Sequence, residues 1–173
     1  DLIYGNAGGD LVYGNTGQDT VFGGKDQDSI FGGKDVDAIY GNLGNDAVYG
    51  NLGNDQVYGG ADDDMLFGGQ DDDLLFGNKG NDQLFGNKGN DTMNGGSGDD
   101  TLFGAAGADV FVVGPGADTA LDFNGQAGDR VEITGSSWTL QGNSSGVTIF
   151  GDPGTAMFLS GVSFDAFDTS WII

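Results

Sequence analysis

The chain has 173 residues, including 36 glycines and two prolines but no cysteine and no histidine; 27 acidic and five basic side chains give a formal charge of −22. Without Cys and His, the sequence excludes zinc fingers, thiol nucleophiles, iron–sulfur clusters and imidazole bases. So acidic a chain also lacks the basic surface that nucleic-acid binding requires, and no apolar run approaches the roughly 20 residues of a membrane-spanning helix.

The chain is poor in the residues that build a core. Leu, Ile, Val and Phe make up about a quarter of it, just above the level of about 20% below which highly charged chains stay disordered. Of the acidic residues, 26 are Asp and one is Glu, which indicates selection for a short carboxylate. A chain with so little apolar material and so much like charge is expected to need a stabilising ligand in order to fold.

An aspartate recurs every nine residues from Asp1 to Asp118. Twelve complete units run from Gly5 to Val112, and residues 113–121 form a degraded thirteenth unit. The unit reads Gly, Asn or Gly, any residue, Gly or Asp, any residue, Asp, any residue, apolar, aromatic, and we number these positions one to nine. Such self-similarity is typical of a repeat architecture.

Each unit divides into a turn and a short strand. Positions one to six are rich in Gly, Asn and Asp, which favour turns, whereas positions seven to nine carry β-branched, Leu and aromatic side chains. Two units make an 18-residue coil, and stacked coils pair as parallel strands about 4.8 Å apart. The expected fold class is therefore all-β: a solenoid of six coils, roughly 29 Å long, with odd and even units in separate sheets and the position-eight side chains between them.

The turns alternate in pairs of units. Position two is Asn and position four is Gly in units 1, 2, 5, 6, 9 and 10, whereas position two is Gly and position four is Asp in units 3, 4, 7 and 8. This 36-residue period predicts that each turn faces a turn of the other type above and below it.

Stacked turns place a row of carboxylates along each edge of the solenoid. A solvated acidic edge is the plain interpretation, but uncompensated like charges are costly, and glycine turns expose backbone carbonyls on the same edge. Short carboxylates and carbonyls suit a hard cation such as Ca²⁺, which tolerates irregular geometry better than Mg²⁺ does. The candidate carboxylate ligands are those at position six: Asp1, Asp10, Asp19, Asp28, Asp37, Asp46, Asp55, Asp64, Asp73, Asp82, Asp91, Asp100, Asp109 and Asp118.

The unit resembles the calcium-binding nonapeptide of the repeats-in-toxin (RTX), or haemolysin-type, proteins, and residues 95–103 fit that motif at every position. The resemblance implies a parallel β-roll in which each Ca²⁺ lies between turns of neighbouring coils, held by position-six carboxylates and loop backbone carbonyls. About nine to eleven ions are expected. Asn at position two of half the units departs from the motif, as do Ala105 and Ala108 in unit 12. The further candidate ligands stand at position four: Gly8, Gly17, Asp26, Asp35, Gly44, Gly53, Asp62, Asp71, Gly80, Gly89 and Gly98.

Position nine is aromatic in most units, and strand alternation directs it away from the core. One interpretation is a stacking ladder on each sheet face. The other is a surface that packs against the tail, another domain or a second copy, so that the chain self-associates through its aromatic faces.

After Leu121 the period fails, which divides the chain into a repeat domain, 1–121, and a capping segment, 122–173. Strands are expected at 122–123, 128–133, 138–140, 146–150 and 156–159, and they would cover the last open edge of the solenoid. Tails of similar position in the RTX family carry an uncleaved secretion signal, with which residues 165–173 are compatible.

Catalytic motifs are nearly absent. The string Gly142–Gly146 matches a nucleophile elbow, but no His exists to activate Ser144, and the Asp63/Asp64 pair lies in a repeat turn where metal binding explains it. No catalytic residue is expected. Because the sequence begins inside a repeat, we interpret it as the C-terminal piece of a longer protein whose enzyme, if any, lies upstream.

The leading hypothesis is a secreted, extracellular bacterial RTX module that folds on Ca²⁺ binding outside the cell. Its expected partners are calcium ions, upstream domains of the same polypeptide and a type I secretion apparatus, with no nucleic acid and no membrane span. The alternatives are a calcium-dependent surface-layer or adhesion anchor, and a carrier domain of a secreted hydrolase or toxin.

Overall fold

The structure, a computed structural model, describes residues 1–133, 139–143, 146–151 and 154–173. The repeats form twelve strands of six residues each: β1 Leu2–Ala7, β2 Leu11–Thr16, β3 Thr20–Lys25, β4 Ser29–Lys34, β5 Ala38–Leu43, β6 Ala47–Leu52, β7 Gln56–Ala61, β8 Met65–Gln70, β9 Leu74–Lys79, β10 Gln83–Lys88, β11 Thr92–Ser97 and β12 Thr101–Ala106. The remaining described elements are β13 Val110–Val113, β14 Gly116–Ala120, β15 Arg130–Ile133, β16 Thr139–Asn143, β17 Gly146–Phe150, β18 Thr155–Ser160 and two 3₁₀ helices, Phe164–Ala166 and Thr169–Trp171.

The strands form two parallel sheets, as predicted from the repeat. Odd-numbered strands β1 to β15 make an eight-stranded sheet, and the even-numbered strands β2 to β14 continue into β18, β17 and β16 to make a ten-stranded sheet. Each repeat strand pairs with the strand 18 residues away, so Ile3 faces Val21 and Val12 faces Ile30. The chain is therefore an all-β, parallel β-roll with an 18-residue coil.

The strands are twice as long as predicted, and the coils number about seven where six were predicted. Pairing continues past the aromatic residue into positions two and three of the next unit, where Asn6 faces Gly24 and Ala7 faces Lys25. Composition alone assigns these Gly and Asn residues to a turn, but in a parallel stack they extend the sheet. The extra coil arises because the residues before Gly5 and the degraded unit 113–121 also contribute strands, β1 and β14.

The core is a single column of position-eight side chains, as predicted. From Val21 to Phe111 each of these side chains is completely buried between the two sheets. Burial of such a side chain stabilises the fold by about 1.5–3 kcal/mol, and the roll has only one for every nine residues. The hydrophobic contribution of each coil is therefore small.

Turns of the two types alternate along the stack, which confirms the prediction from the 36-residue period. Gly24 lies between Asn6 and Asn42, whose backbones adopt positive φ angles of 82° and 83°. A Cβ atom on Gly24 would collide with the carbonyl group of Asn6. Over most of the roll a left-handed Asn therefore has a glycine directly above and below it, which is the physical cause of the alternation. The exception is next to the cap, where Asn87 adjoins Ala105, which is also left-handed with φ 70°.

The aromatic side chains at position nine form two stacked columns, which confirms the ladder interpretation. In most neighbouring pairs the ring centroids are 4.6–5.1 Å apart and the ring planes nearly parallel. One column runs along the odd strands and ends at Phe76, where Asn94 follows. The other runs along the even strands to Phe103, whose ring is tilted and 6.3 Å from that of Phe85.

The tail continues both sheets. Strand β18 pairs in parallel with β14, and β17 and β16 follow it as antiparallel strands, whereas β15 pairs with β13. At the end of the chain Ile173 hydrogen-bonds with Val131 and Ile133. Trp171 is buried beside Phe123, whose ring also meets the last core residue of the roll, Phe111.

Most of the predicted tail strands are present, but the strand predicted at 122–123 was wrong. Asp122 lies in a bend, where its two carboxylate oxygens accept hydrogen bonds from the amides of Gly104 and Ala105 at 2.9 and 2.7 Å. Phe123 is drawn into the core instead of a sheet. Of the strand predicted at 138–140, Trp138 lies outside the described residues, and the division at residue 121 remains a prediction.

The alternation of turns predicts that glycines differ in their tolerance of a methyl group. Gly60 has φ +124° and a Cβ there would meet the backbone of Asn42, whereas Gly17 has φ +97° and open space around it. We expect Gly60→Ala to lower the free energy of unfolding by about 3 kcal/mol, from strain and overlap together. Gly17→Ala should cost about 1 kcal/mol, because it introduces backbone strain alone. Urea denaturation in saturating calcium measures both, and equal losses would contradict the steric explanation.

Candidate metal centres

From Asp19 to Asp118, each position-six aspartate accepts a hydrogen bond from the coil before it. The backbone N–H of Asp37 donates to Oδ1 of Asp55 at 2.9 Å, and the N–H of Asp46 donates to Oδ1 of Asp64 at 2.8 Å. The same contact recurs every 18 residues along both edges of the roll. These carboxylates are not solvated edge groups, because from Asp19 to Asp118 they are at most 3% exposed.

In eleven of the position-six aspartates the second carboxylate oxygen is buried and has no hydrogen-bond partner within the part of the chain that the structure describes. A buried polar atom of this kind is costly unless something satisfies it, and a charged one is more costly still. Eleven Oδ2 atoms share this state, those of Asp10, Asp19, Asp28, Asp37, Asp46, Asp55, Asp64, Asp73, Asp82, Asp91 and Asp100.

The glycine at position one leaves open a small space beside the Oδ2 atom of the position-six aspartate. A Cβ atom on Gly23 would lie 2.5 Å from Oδ2 of Asp28 and 2.9 Å from the carbonyl oxygen of Gly41. Only glycine leaves this space empty, which explains why position one is Gly in all twelve units. A carboxylate oxygen and a backbone carbonyl oxygen from different coils therefore border one small space.

Burial raises the pKa of the position-six carboxyl groups, since it removes the charged form from water; a backbone hydrogen bond opposes this effect, and neighbouring Asp charges add to it. The pKa of Asp55 rises to about 7, and the pKa values of Asp64 and Asp73 rise to about 8. The direction is the same for Asp28 near one end of the roll. At neutral pH and without a cation, the carboxyl groups of Asp55, Asp64 and Asp73 are thus partly neutral.

This donor set fits a hard divalent cation. The Oδ2 atoms without a partner belong to buried carboxyl groups, backbone carbonyls lie beside them, and the chain offers no nitrogen or sulfur ligand of the His or Cys type. No group of three or more acidic side chains converges on one point in the described ranges. Any complete coordination shell in these ranges must therefore include backbone carbonyl oxygens, as Ca²⁺ sites commonly do.

The residues at position four lie in the turns at the two edges. Asp26 and Asp35 are exposed, and each accepts a hydrogen bond at 3.1 Å from the N–H of a position-four glycine in the preceding coil, Gly8 or Gly17. Later glycines such as Gly80 donate their N–H to the carbonyl oxygen at position three of the next coil, here Ser97. The roles of position-four residues as carbonyl ligands remain predictions.

Sequence reasoning missed a second ladder, at position five. The N–H of Asn81 donates to Asp63, and the N–H of Asp99 donates to Asn81, at 2.7 and 2.9 Å. A parallel row on the other edge contains Asp72 and Asn90. Position five is Asn or Asp in units 5 to 11, a bias that could have revealed the ladder.

At the cap end of each row, the last carboxylate has different hydrogen-bond partners from the carboxylates in the middle. Asp129, which the repeat spacing does not reach, accepts from the N–H of Asp109 with one oxygen and from the N–H of Asn124 with the other. Asp118 likewise receives two backbone donors, from Asp100 and Gly114, both at 3.2 Å. Where the cap begins, backbone amides take the place that is empty in the middle of the roll. Asp1, at the other end, is exposed.

The family model of the RTX calcium-binding nonapeptide repeat matches residues 1–30, 13–48, 22–57, 49–84, 58–93 and 85–120. These matches cover all twelve repeats. The chain belongs to the RTX calcium-binding repeat family. RTX repeats bind Ca²⁺ in general, and no curated protein matches this chain.

Solved structures share the architecture of this RTX module. It is similar to the AlgE6R3 subunit of the Azotobacter vinelandii mannuronan C5-epimerase, with a TM-score of 0.51 and 24% identity over 65% of this chain and 78% of that subunit. The extracellular lipase LipA of Serratia marcescens matches with a TM-score of 0.49 and 20% identity over 92% of this chain. The RTX module spans 40% of the lipase chain.

Replacement of one buried carboxylate should have opposite effects with and without calcium. Asp55→Asn keeps an oxygen to accept the N–H of Asp37 but removes the bare charged Oδ2. We expect the variant to bind at least one calcium ion fewer and to lose about 2 kcal/mol of unfolding free energy in saturating calcium. Without calcium it should be more stable than the unmodified chain, because a buried charge has gone.

Calorimetric calcium titrations and urea denaturation measure these effects. The matched control is Asp165→Asn, an exposed aspartate outside the roll with the same change in net charge. If the two variants bind calcium alike, the position-six carboxylates are not ligands.

The raised pKa values also predict a pH dependence for the calcium-free chain. Between the ordinary aspartate pKa of 3.8 and about 8, the folded chain binds more protons than the unfolded chain does. The free energy of unfolding therefore falls as pH rises through this window. Circular dichroism of chelator-treated protein in calcium-depleted buffer should show most strand signal near the lower limit and least near the upper one. A signal that grows with pH would contradict this prediction.

Proposed function

We propose that this RTX module is a calcium-driven folding switch that supports type I secretion of an upstream passenger. The observation that carries the proposal is the set of eleven buried carboxylate oxygens, along both edges of the roll, that have no hydrogen-bond partner among the described residues. The position-six carboxylates link neighbouring coils through Oδ1, but they destabilise the roll when their buried charge is not compensated.

Without calcium the balance of forces favours the unfolded chain. The core offers one buried side chain per nonapeptide, whereas ordering nine residues costs roughly 1–2 kcal/mol of backbone entropy for each. Folding also moves the position-six carboxylates out of water and brings them close to one another, as the direction of their pKa values indicates. The formal charge of −22 adds repulsion throughout the chain.

With calcium, the bare oxygens become ligands. We propose that each ion lies between turns of neighbouring coils, held by Oδ2 atoms of position-six aspartates and by backbone carbonyl oxygens of the loops. About nine to eleven such ions would carry a positive charge close in size to the −22 of the chain. Because the ions bind only the folded form, they shift the equilibrium towards it by mass action.

This switch suits a protein that crosses a narrow export channel. Extracellular calcium modules bind with dissociation constants of roughly 10⁻⁴–10⁻³ M, far above cytosolic calcium levels. The chain would therefore stay unfolded before export and fold afterwards. RTX repeats occur in type I-secreted extracellular bacterial proteins, which is the localisation we propose here.

The end of the chain fits the same order of events. In the fold, Trp171 is buried and Ile173 pairs with β15. If the secretion signal lies at 165–173, its Trp171 side chain would be accessible only while the cap is unfolded. Recognition of that side chain by the secretion apparatus would therefore precede folding of the cap.

We propose that this module carries no catalytic site of its own. The charged groups that it buries are explained by the candidate metal centres, and Ser144 of the elbow-like string lies outside the described residues. RTX repeat domains are structural, calcium-binding modules. None of the helices in the described ranges is both long and apolar enough to span a membrane.

A calcium titration followed by circular dichroism tests the folding switch. We expect little strand signal in chelator and a cooperative gain of signal at millimolar calcium, because about nine to eleven ions bind the folded form alone. Magnesium chloride and sodium chloride at equal ionic strength are the controls, and neither should restore the fold. A strand signal that is unchanged by chelator would refute the proposal.

The export step is tested with a reporter fused upstream of the same chain in cells that carry a type I apparatus. Export should require residues 165–173 and should not require extracellular calcium, whereas the strand signal of the exported protein should require it. Equal export of the full and shortened chains would show that the signal lies elsewhere.

A further inference from the structure

Positive and negative side chains occupy separate surfaces of the roll. Strands β1 to β12 contain no acidic residue, whereas the position-four, position-five and position-six acids lie on the two turn edges. All four lysines of the chain, Lys25, Lys34, Lys79 and Lys88, stand at position three and are exposed. The outer sheet faces are therefore weakly basic in a strongly acidic protein.

A long groove crosses the outer face of the ten-stranded sheet. It has a volume of about 770 Å³ and touches β2, β4, β6, β8 and β10, so it follows the roll axis for about 19 Å. One wall is the column of stacked aromatic rings, and the other consists of Lys34, Leu52, Gln70 and Lys88. The groove thus places a positive charge near each end.

The aromatic wall presents ring edges to the groove. Phe31, Tyr49 and Phe67 stack face to face with centroid distances of 4.6 and 4.7 Å. Their negative faces cover one another, and their edges, which carry the positive part of the ring quadrupole, stay free. Such a wall attracts electronegative oxygen atoms and offers no open ring face for stacking.

The floor carries carboxamides at every second coil. Asn15, Asn51 and Asn87 each donate a hydrogen bond through Nδ2 to the carbonyl oxygen of the aromatic residue two positions earlier, at 3.2–3.3 Å. This bond fixes each amide, and within the described part of the chain its Oδ1 accepts no hydrogen bond. The free acceptors recur about every 10 Å along the groove, which is twice the strand spacing.

We propose that this groove binds a linear acidic polysaccharide along the roll axis. Its carboxylate groups would pair with Lys34 and Lys88, and its hydroxyl groups would donate to the fixed Asn oxygens and accept from Gln70. The turn edges, with their acids compensated by bound ions, would leave these two lysines as the dominant charges near the ligand.

Two other kinds of polymer fit the groove less well. A peptide that adds a strand needs a free sheet edge, but the backbone groups below this groove already pair between the strands. Nucleic acid needs many phosphate contacts and a basic surface, and this face offers two lysines and no arginine.

The opposite sheet face supplies a matched control. Its aromatic column ends at Phe76, and its depression, beside Phe76, Lys79 and Asn94, has a volume of only about 290 Å³. That face carries Lys25 and Lys79, so it has the same number of lysines without a continuous groove. General attraction to lysine would not distinguish the two faces, whereas a groove ligand would.

The test uses the full chain in millimolar calcium and a soluble oligouronate long enough to fill the groove. A neutral oligosaccharide of equal length and a polyglutamate peptide are the comparison ligands, and calorimetry measures binding. Circular dichroism of every sample separates a chain that has not folded from a folded chain that does not bind. We expect Lys34→Gln with Lys88→Gln to weaken oligouronate binding about tenfold or more.

Lys25→Gln with Lys79→Gln should leave that affinity within about twofold, because only long-range attraction changes. Leu52→Asp, which places a negative charge in the groove wall, should abolish binding. The proposal is overturned if the folded chain does not bind the oligouronate, if both lysine pairs weaken binding equally, or if polyglutamate binds as tightly. In the last case the groove serves an acidic protein instead.

Discussion

A single carboxylate, repeated every nine residues, holds the coils of this roll in register. Its Oδ1 atom accepts the backbone N–H of the equivalent aspartate one coil earlier, and its Oδ2 atom faces a small space that a glycine keeps open. The first contact fixes the stack in register, whereas the second atom is a buried acceptor that no group in the described part of the chain satisfies. One side chain therefore provides both the coil-to-coil contact and an acceptor for a ligand, which is the basis for the proposed coupling of folding to ion binding.

The glycines set the geometry within which the carboxylates act. Position one must be Gly because any side chain would enter the space beside Oδ2. Positions two and four alternate over most of the roll because a Cβ atom on the Gly that adjoins a left-handed Asn or Asp would overlap its carbonyl group; Asn87 and Ala105 near the cap are the exception. The cap relieves the same constraints at the end of the roll. There Asp118 and Asp129 obtain backbone donors for both oxygens, so the last carboxylate of each row has both oxygens hydrogen-bonded to the protein, unlike those in the middle.

The sequence predicted what the nine-residue period encodes, namely two parallel sheets, a core of position-eight residues and alternating turns. It did not predict the length of the strands, because Asn6 and Gly24 have the composition of a turn and join the sheet only when coils stack. Asp129 was missed because two inserted residues break the spacing, and the ladder of Asp63, Asn81 and Asp99 was missed because position five varies in identity while its hydrogen bonds persist. Each of these features depends on contacts between neighbouring coils, which the residue pattern within one nine-residue unit does not specify.

The steric alternation of Asn and Gly limits how such a solenoid can change its size. Removal of one coil from the middle would stack Asn on Asn, where the present stack has Asn42 on Gly60, and the Cβ atom would enter the neighbouring carbonyl group. Removal of two coils would restore the original neighbours. Gly96, in a unit with glycine at both positions two and four, can adjoin either kind of turn. Along most of its axis this steric rule therefore permits changes of length only in steps of 36 residues. The exception adjoins the cap, where Asn87 already stacks on Ala105 and Gly96 stands between Asn78 and Gly114.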